Sequence, residues 1–184
     1  RPAPPAPRAR RGSPPPPGPP APLPDGRGPR PSSLRLSLTR RCNSRCSSCS
    51  PAPRGERPGT VLDRHEIRAL VAAFAHLGVD HVRLTGGEPT LRPDLLDVVA
   101  TVAGVPGIRE VALTTNGQRL AAIARDLRAA GLTRLNVSLD TLRPERLRAI
   151  SGRAAAVEQV VAGIRAAAGA GFASLKLNAV VLGG

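Results

Sequence analysis

The strongest constraint on the fold is an alternation of strand and helix patterns between Leu34 and Leu182. Short runs that alternate apolar and polar residues, typical of β-strands, are separated by longer stretches with apolar residues at helical spacing. Strands are predicted at residues 34–38, 81–85, 110–115, 134–139 and 174–182, and helices at residues 63–77, 94–103, 119–130, 144–150 and 155–168. This order predicts an α/β fold with a parallel sheet and helical crossovers, either an open doubly wound sheet or part of a barrel.

The predicted strands also carry a polar face, which is unusual for a parallel sheet covered on both sides. An antiparallel sheet with one wet face would explain the alternation, but the intervening helices favour parallel pairing. Three cations, Arg35, Arg83 and Lys176, fall in the polar phase of their strands. Because an unpaired buried charge is costly, they predict a cavity with an anionic occupant, unless each is a surface charge at a strand end.

All three cysteines lie in one short segment, as Cys42, Cys46 and Cys49 in the spacing C-x3-C-x2-C. An odd number of clustered thiols is not a disulfide framework. Unconnected structural cysteines remain an alternative, and a zinc site would need a fourth ligand that no histidine pair supplies. An iron–sulfur cluster on three thiolates is favoured, and it would leave one iron open. The segment follows the first strand, at the strand ends that usually form the binding face of a parallel sheet.

Composition excludes several classes of protein. Residues 1–33 hold 14 of the 21 prolines and predict a disordered Pro/Arg/Gly-rich tail, with a proline-rich ligand as the alternative. The formal charge is +14, but an aromatic content of 1% argues against nucleic-acid binding. No apolar run approaches the ~18 residues of a membrane span. The chain also lacks a signal peptide's apolar core, so we expect a cytoplasmic protein without membrane partners.

Two motifs together resemble the radical S-adenosylmethionine superfamily. They are the cysteine spacing after the first strand and Gly-Gly-Glu-Pro at residues 86–89 after the second. More narrowly, the segments LRLSLTRRCNSRC, VRLTGGEPTLRPDL, LTTNG, LNVSLDTL and KLNAVV resemble the GTP 3′,8-cyclase family of molybdenum cofactor biosynthesis. The resemblance covers about Leu34 to Leu182 and corresponds to the N-terminal part of that family. It implies a partial (β/α)6 barrel, of which residues 34–184 supply about five parallel strands.

The resemblance also implies two ligand sites. Cys42, Cys46 and Cys49 would hold a [4Fe–4S] cluster, whose open iron binds S-adenosylmethionine. The residues at positions that contact S-adenosylmethionine are Ser48, Gly87 and Ser138, and Glu88 could accept from its ammonium group. The residues at positions that bind GTP are Arg35, Arg83, Thr114 and Lys176. All four of these fall in the polar phase of the predicted strands.

The implied reaction is reductive cleavage of S-adenosylmethionine to a 5′-deoxyadenosyl radical. That radical abstracts the ribose 3′ hydrogen of GTP, and the product is (8S)-3′,8-cyclo-7,8-dihydroguanosine 5′-triphosphate. We expect an electron donor such as a flavodoxin or ferredoxin, and the exposed strand edge of a part-barrel leaves a homodimer open. The alternatives are another radical S-adenosylmethionine enzyme acting on peptides or tetrapyrroles, an inactive truncated fragment and a zinc-binding module.

Three departures from the family pattern bear on these expectations. Ser44 and Ser48 stand where aromatic residues are common, and Arg40 stands at an often acidic position. The family's second [4Fe–4S] cluster and its arginine-rich segment belong to a C-terminal region that this chain does not include. The sequence therefore supports cofactor binding more strongly than substrate turnover.

Overall fold

The computed structural model describes residues 32–47, 49, 61–152 and 156–181. The predicted tail, apart from its last two residues, lies outside the described residues. Ser48 and Leu182, the last residue of the predicted fifth strand, lie outside them too. Ser33 already belongs to the first strand, one residue before the predicted start.

The described residues contain the predicted sequence of elements. These are β1 (Ser33–Ser37), α1 (Arg64–His76), β2 (His81–Thr85), α2 (Leu95–Ala103), β3 (Glu110–Thr115), α3 (Leu120–Ala129), β4 (Arg134–Ser138), α4 (Pro144–Ser151), α5 (Val157–Ala168) and β5 (Ser174–Asn178). A 3-10 helix at Pro89–Leu91 is additional. The predicted extension of the fifth strand through Val181 is wrong. Pairing ends at Ser138 opposite Asn178, and the Val180 amide donates instead to Asp140 Oδ1 at 2.9 Å.

The start of α1 shows how local sequence sets an element boundary. The Glu66 amide donates to Asp63 Oδ1 at 2.8 Å, and the Asp63 amide donates to Glu66 Oε2 at 2.8 Å. This reciprocal capping box satisfies helix donors that otherwise lack partners. The face that follows buries Ile67 and Val71 completely.

The five strands form one sheet in the order β1-β2-β3-β4-β5, and every neighbouring pair is parallel. The antiparallel alternative is therefore wrong. A doubly wound sheet needs a reversal of strand order, and this sheet has none. Each new strand is added at the same edge of the sheet. Right-handed crossovers between such strands place all the connecting helices on one side of the sheet. The expected part-barrel architecture is thus present.

The core lies between the apolar face of the sheet and the helices. Its buried strand residues are Leu36, Val82, Leu84, Val111, Leu113, Leu135 and Val137. They pack against helix residues that include Ile67, Val71, Val98, Val102, Leu120, Leu127 and Val160. On β5 the pattern only partly holds, since Leu175 packs against this core but Leu177 is 58% exposed.

The opposite face of the sheet carries the predicted polar residues. Arg35 of β1 lies directly beside Arg83 of β2 in the parallel register. Further across the sheet, Asn136 of β4 lies between Thr114 of β3 and Lys176 of β5. The three cations share one face and are exposed on it, which matches the alternative of surface charges and not the burial that the predicted cavity assumed.

Replacing Leu113 by alanine tests the position of the core. Leu113 is 0% exposed in the central strand, so we expect Leu113→Ala to lower the free energy of unfolding by about 2–5 kcal/mol. Leu177→Ala is the matched control, and we expect it to change this quantity by less than about 0.5 kcal/mol. Urea denaturation of both variants measures the difference. Equal losses would contradict the placement of the core.

Candidate functional site

Three loops meet at the carboxyl edge of the sheet. The cysteine loop (residues 39–49) follows β1, the Gly-Gly-Glu loop (residues 86–88) follows β2, and the Asn-Gly loop (residues 116–118) follows β3. Parallel strands put these loops at the same edge, which is where ligands bind in open α/β sheets. The candidate site is built from these loops and the polar face beside them.

The cysteine loop continues the pairing of β1 and β2 beyond the strands. The Leu38 amide donates to the Thr85 carbonyl at 2.9 Å, and the Gly87 amide donates to the Thr39 carbonyl at 2.7 Å. The Glu88 amide then donates to the Arg41 carbonyl at 2.7 Å. These bonds fix the first half of the cysteine loop against the Gly-Gly-Glu loop.

Glycine is required at residue 87 because the two loops lie so close. A Cβ on Gly87 would lie 2.8 Å from the Arg40 carbonyl oxygen and closer still to the Arg41 carbonyl oxygen. No ordinary Cβ tolerates such an approach to the backbone. The chain's own cysteine loop therefore fills the space beside Gly87. The predicted contact of Gly87 with S-adenosylmethionine stays a prediction.

The second half of the cysteine loop is held by the end of α4. The Arg45 amide donates to the Ser151 carbonyl at 2.6 Å, and the Ser47 amide donates to the Ile150 carbonyl at 2.9 Å. These are carbonyls of the last helical turn, which lack partners within their own helix. The cysteine loop thus lies between the Gly-Gly-Glu loop and the C-terminus of α4.

The three cysteines are free thiols on this loop. Cys42 and Cys49 are exposed, and Cys46 is half-buried. Desolvation by the surrounding protein raises the pKa of both Cys42 and Cys46. The neighbouring thiols raise both pKa values further. The Ser44 amide donates to Cys42 Sγ at 3.3 Å, which favours the thiolate. Among the described residues, no three Cys, His, Asp or Glu side chains are grouped as a site for a single metal ion.

Glu88 has an internal role. Its side chain is 1% exposed, and Oε1 accepts from the Thr90 amide at 3.0 Å, the Thr90 hydroxyl at 2.6 Å and the Thr115 hydroxyl at 2.7 Å. Oε2 accepts from the Asn116 amide at 2.7 Å. This placement differs from the predicted contact with a ligand ammonium group. The carboxylate instead joins the Gly-Gly-Glu loop to the end of β3.

Arg92 is a second buried ion that the sequence analysis did not single out. Its side chain is 8% exposed and donates to both oxygens of Asp94, at 2.7 and 3.1 Å. It also donates to the Leu38 carbonyl at 3.1 Å, one residue before the cysteine loop. Arg92 therefore ties the segment after Gly-Gly-Glu-Pro to the end of β1.

Three of the cations on the polar face lack partners among the described residues. Within that part of the chain, Arg35, Arg83 and Lys176 form no ion pair or hydrogen bond, whereas Arg134 pairs with Glu110 at 3.0 Å. A cavity of about 150 Å³ beside Arg35 and Arg83 is also lined by His81 and Glu110. Arg134 was not among the predicted site residues, although it shares the polar phase of β4. The face thus carries three exposed positive charges without an ion-pair partner among the described residues.

The remaining predicted site residues are more dispersed. Thr114 is half-buried on the polar face, two strands from Lys176. Ser138 is exposed at the carboxyl end of β4, beside Asn178. Ser48 lies outside the described residues. The structure therefore places the GTP-assigned residues on one face and the cysteines at its carboxyl edge.

Comparison with known proteins establishes the class. Residues 36–184 match the Radical SAM superfamily, so the chain belongs to this superfamily. Membership implies a [4Fe–4S] cluster and S-adenosylmethionine, and three free thiols on one loop are a suitable donor set for such a cluster. No described helix is long and apolar enough to span a membrane.

Among the members of this superfamily, the chain is similar to GTP 3′,8-cyclases. It is 49% identical over 168 residues to that of Aeromonas hydrophila, covering 88% of this chain and 49% of the relative. It is 51% identical over 152 residues to that of Synechococcus elongatus, covering 81% of this chain and 46% of the relative. The resemblance predicted from the motifs is confirmed. The chain spans about half the length of these curated relatives.

Solved structures support the fold. Streptococcus suis SuiB bound to its precursor peptide SuiA superposes with a TM-score of 0.67 at 22% identity, over 81% of this chain and 33% of that one. At this identity the likeness shows the fold alone. It confirms the part-barrel class predicted from the strand and helix pattern.

Substituting Gly87 tests the contact between the two loops. We expect Gly87→Ala to displace the cysteine loop, lower the free energy of unfolding by about 1–3 kcal/mol and reduce the iron bound after anaerobic reconstitution. Gly169→Ala is the control, because a Cβ there meets no atom closer than 3.7 Å. Iron analysis and urea denaturation give both results. Wild-type iron content in Gly87→Ala would show that the close approach is not needed.

Proposed function

We infer that the chain is the cofactor-binding part of a radical S-adenosylmethionine enzyme that acts on GTP as a 3′,8-cyclase. The observation that carries this inference is the set of unpartnered cations, Arg35, Arg83 and Lys176, on the sheet face beside the cysteine loop. The similarity to GTP 3′,8-cyclases over 88% of this chain supports it. The more distant solved structures indicate only the fold, so the alternative of a peptide or tetrapyrrole substrate has no particular support.

Cys42, Cys46 and Cys49 would hold the [4Fe–4S] cluster, with S-adenosylmethionine at its open iron. When bound, the cluster supplies the electron that cleaves the sulfonium bond of this cofactor. Ser48, Gly87 and Ser138 are the proposed contacts to S-adenosylmethionine. The loops around the cysteines hold the donor set, and the protein contributes orientation and exclusion of water.

The polar face would bind GTP through charge. Arg35 and Arg83 lie directly opposite each other, and like charges in this arrangement repel. A polyphosphate between them would convert that repulsion into charge-assisted hydrogen bonds, to which arginine is well suited. Lys176 and Thr114, further across the sheet, would hold other polar groups of the nucleotide.

Further features belong to the same proposal. Residues 1–33 would form a disordered tail and residues 34–184 the radical S-adenosylmethionine core. A C-terminal region of the kind present in the relatives would supply a second [4Fe–4S] cluster. A flavodoxin or ferredoxin would deliver the electron in the cytoplasm, and the free edge of the sheet would allow a homodimer.

Removing a cation from the polar face tests GTP binding. We expect Arg83→Ala and Lys176→Ala each to raise the Kd for GTP roughly 10- to 100-fold, as lost charge-assisted hydrogen bonds would. Arg165→Ala removes the same charge from an exposed helix position and should change the Kd by less than about twofold. Equilibrium dialysis measures the three constants. Equal effects of all three substitutions would reject the proposed GTP site.

Cofactor chemistry is tested in the same preparations. Anaerobic reconstitution should yield about four irons per chain, and reduction with S-adenosylmethionine present should yield 5′-deoxyadenosine. Zinc in place of iron, or no 5′-deoxyadenosine, would contradict the proposal.

A further inference from the structure

Four polar side chains join the cysteine loop to the Asn-Gly loop, and we call them the amide network: Asn43, Ser44, Asn116 and Gln118. Asn116 Nδ2 donates to Asn43 Oδ1 at 2.7 Å, and Asn43 Nδ2 donates to Gln118 Oε1 at 3.0 Å. Gln118 Nε2 donates to Ser44 Oγ at 3.2 Å, and Asn116 Nδ2 lies 3.4 Å from the same oxygen. Asn43 and Gln118 thus use both their donor and acceptor atoms across the two loops, and Asn116 uses its donor.

The Asn-Gly loop is itself held in place by hydrogen bonds. The buried Glu88 carboxylate accepts from the Asn116 amide at 2.7 Å, and the Thr115 hydroxyl accepts from the Gly117 amide at 3.1 Å. Asn116 Oδ1 accepts from the Gln118 amide at 3.2 Å, which closes the turn. Hydrogen bonds to Glu88 and to the Gln118 amide therefore set the orientation of Asn116, and its Nδ2 is left to bond Asn43.

The amide network ends beside the first cysteine. Asn43 follows Cys42 directly, and the amide of Ser44 donates to Cys42 Sγ at 3.3 Å. The side chain of Ser44 is held by Gln118, so the direction of this amide depends on the network. Hydrogen bonds to sulfur ligands are one of the terms that set the reduction potential of an iron–sulfur cluster.

We propose that Asn116 and Gln118 are positioning residues for the cluster. They hold the cysteine loop through Asn43 and Ser44 and aim the Ser44 amide at the Cys42 sulfur. Neither side chain touches the sulfur itself. The inference rests on the proposed function in one respect, namely that Cys42 is a cluster ligand.

Asn116→Asp is the sharpest variant, because it is nearly isosteric. An aspartate keeps the acceptor for the Gln118 amide but replaces the Nδ2 donor by an oxygen that faces Asn43 Oδ1. Gln118→Ala is the second variant and removes a side chain that makes no hydrogen bond to Glu88. Gln159→Ala, at an exposed position of α5, is the control for loss of an amide side chain.

The first measurement is hydrogen exchange in the metal-free protein. We expect peptides covering residues 39–47 to exchange about tenfold faster in Asn116→Asp, while α1 exchanges as in the wild type. An unchanged loop would overturn the proposal. So would an equal acceleration in α1, because it would show general destabilisation. This measurement does not require cluster binding, so it stands even if the proposed function fails.

The second measurement uses the reconstituted protein. Loss of an amide donor to sulfur disfavours the reduced cluster, so we expect the midpoint potential of both variants to be more negative than that of Gln159→Ala. The electron paramagnetic resonance spectrum of the reduced cluster should change with it. A potential equal to that of the control in both variants would overturn the assignment.

Discussion

One buried carboxylate holds together the loops on which the site depends. Glu88 is 1% exposed and accepts four hydrogen bonds, from both polar groups of Thr90, from the Thr115 hydroxyl and from the Asn116 amide. Hydrogen bonds to a charged acceptor in a low-dielectric interior are strong, and an unsatisfied charge there would be very costly. Its own amide simultaneously pairs with the cysteine loop. The carboxyl edge of the sheet is therefore one connected structure rather than three independent loops.

The basic residues on and beside the sheet fall into two groups. Arg134 forms an ion pair with Glu110, and the buried Arg92 forms one with Asp94. These arginines therefore have a structural role. Arg35, Arg83 and Lys176 have no such partner among the described residues. The proposed nucleotide site would give these exposed cations an anionic partner.

Much of this arrangement could be predicted because the relevant signals are local. Strand alternation gave the polar phase of Arg35, Arg83 and Lys176, and the Asp63–Glu66 pair marked the start of α1. The internal role of Glu88 and the amide network could not be predicted in the same way. Asn43 and Asn116 are 73 positions apart, and only the parallel sheet brings them together. The end of β5 depended likewise on the length of its neighbour β4.

The central claim is that the polar face is a nucleotide site next to the cysteine loop. Lys176 is the only lysine in the chain, so acylation of side-chain amines reports on this one position of the face. We expect GTP to slow acylation of Lys176 in the folded protein, and sulfate at equal ionic strength to leave its rate unchanged. Mass spectrometry of the peptide that contains Lys176 measures both rates. The same rate with and without saturating GTP would contradict the account.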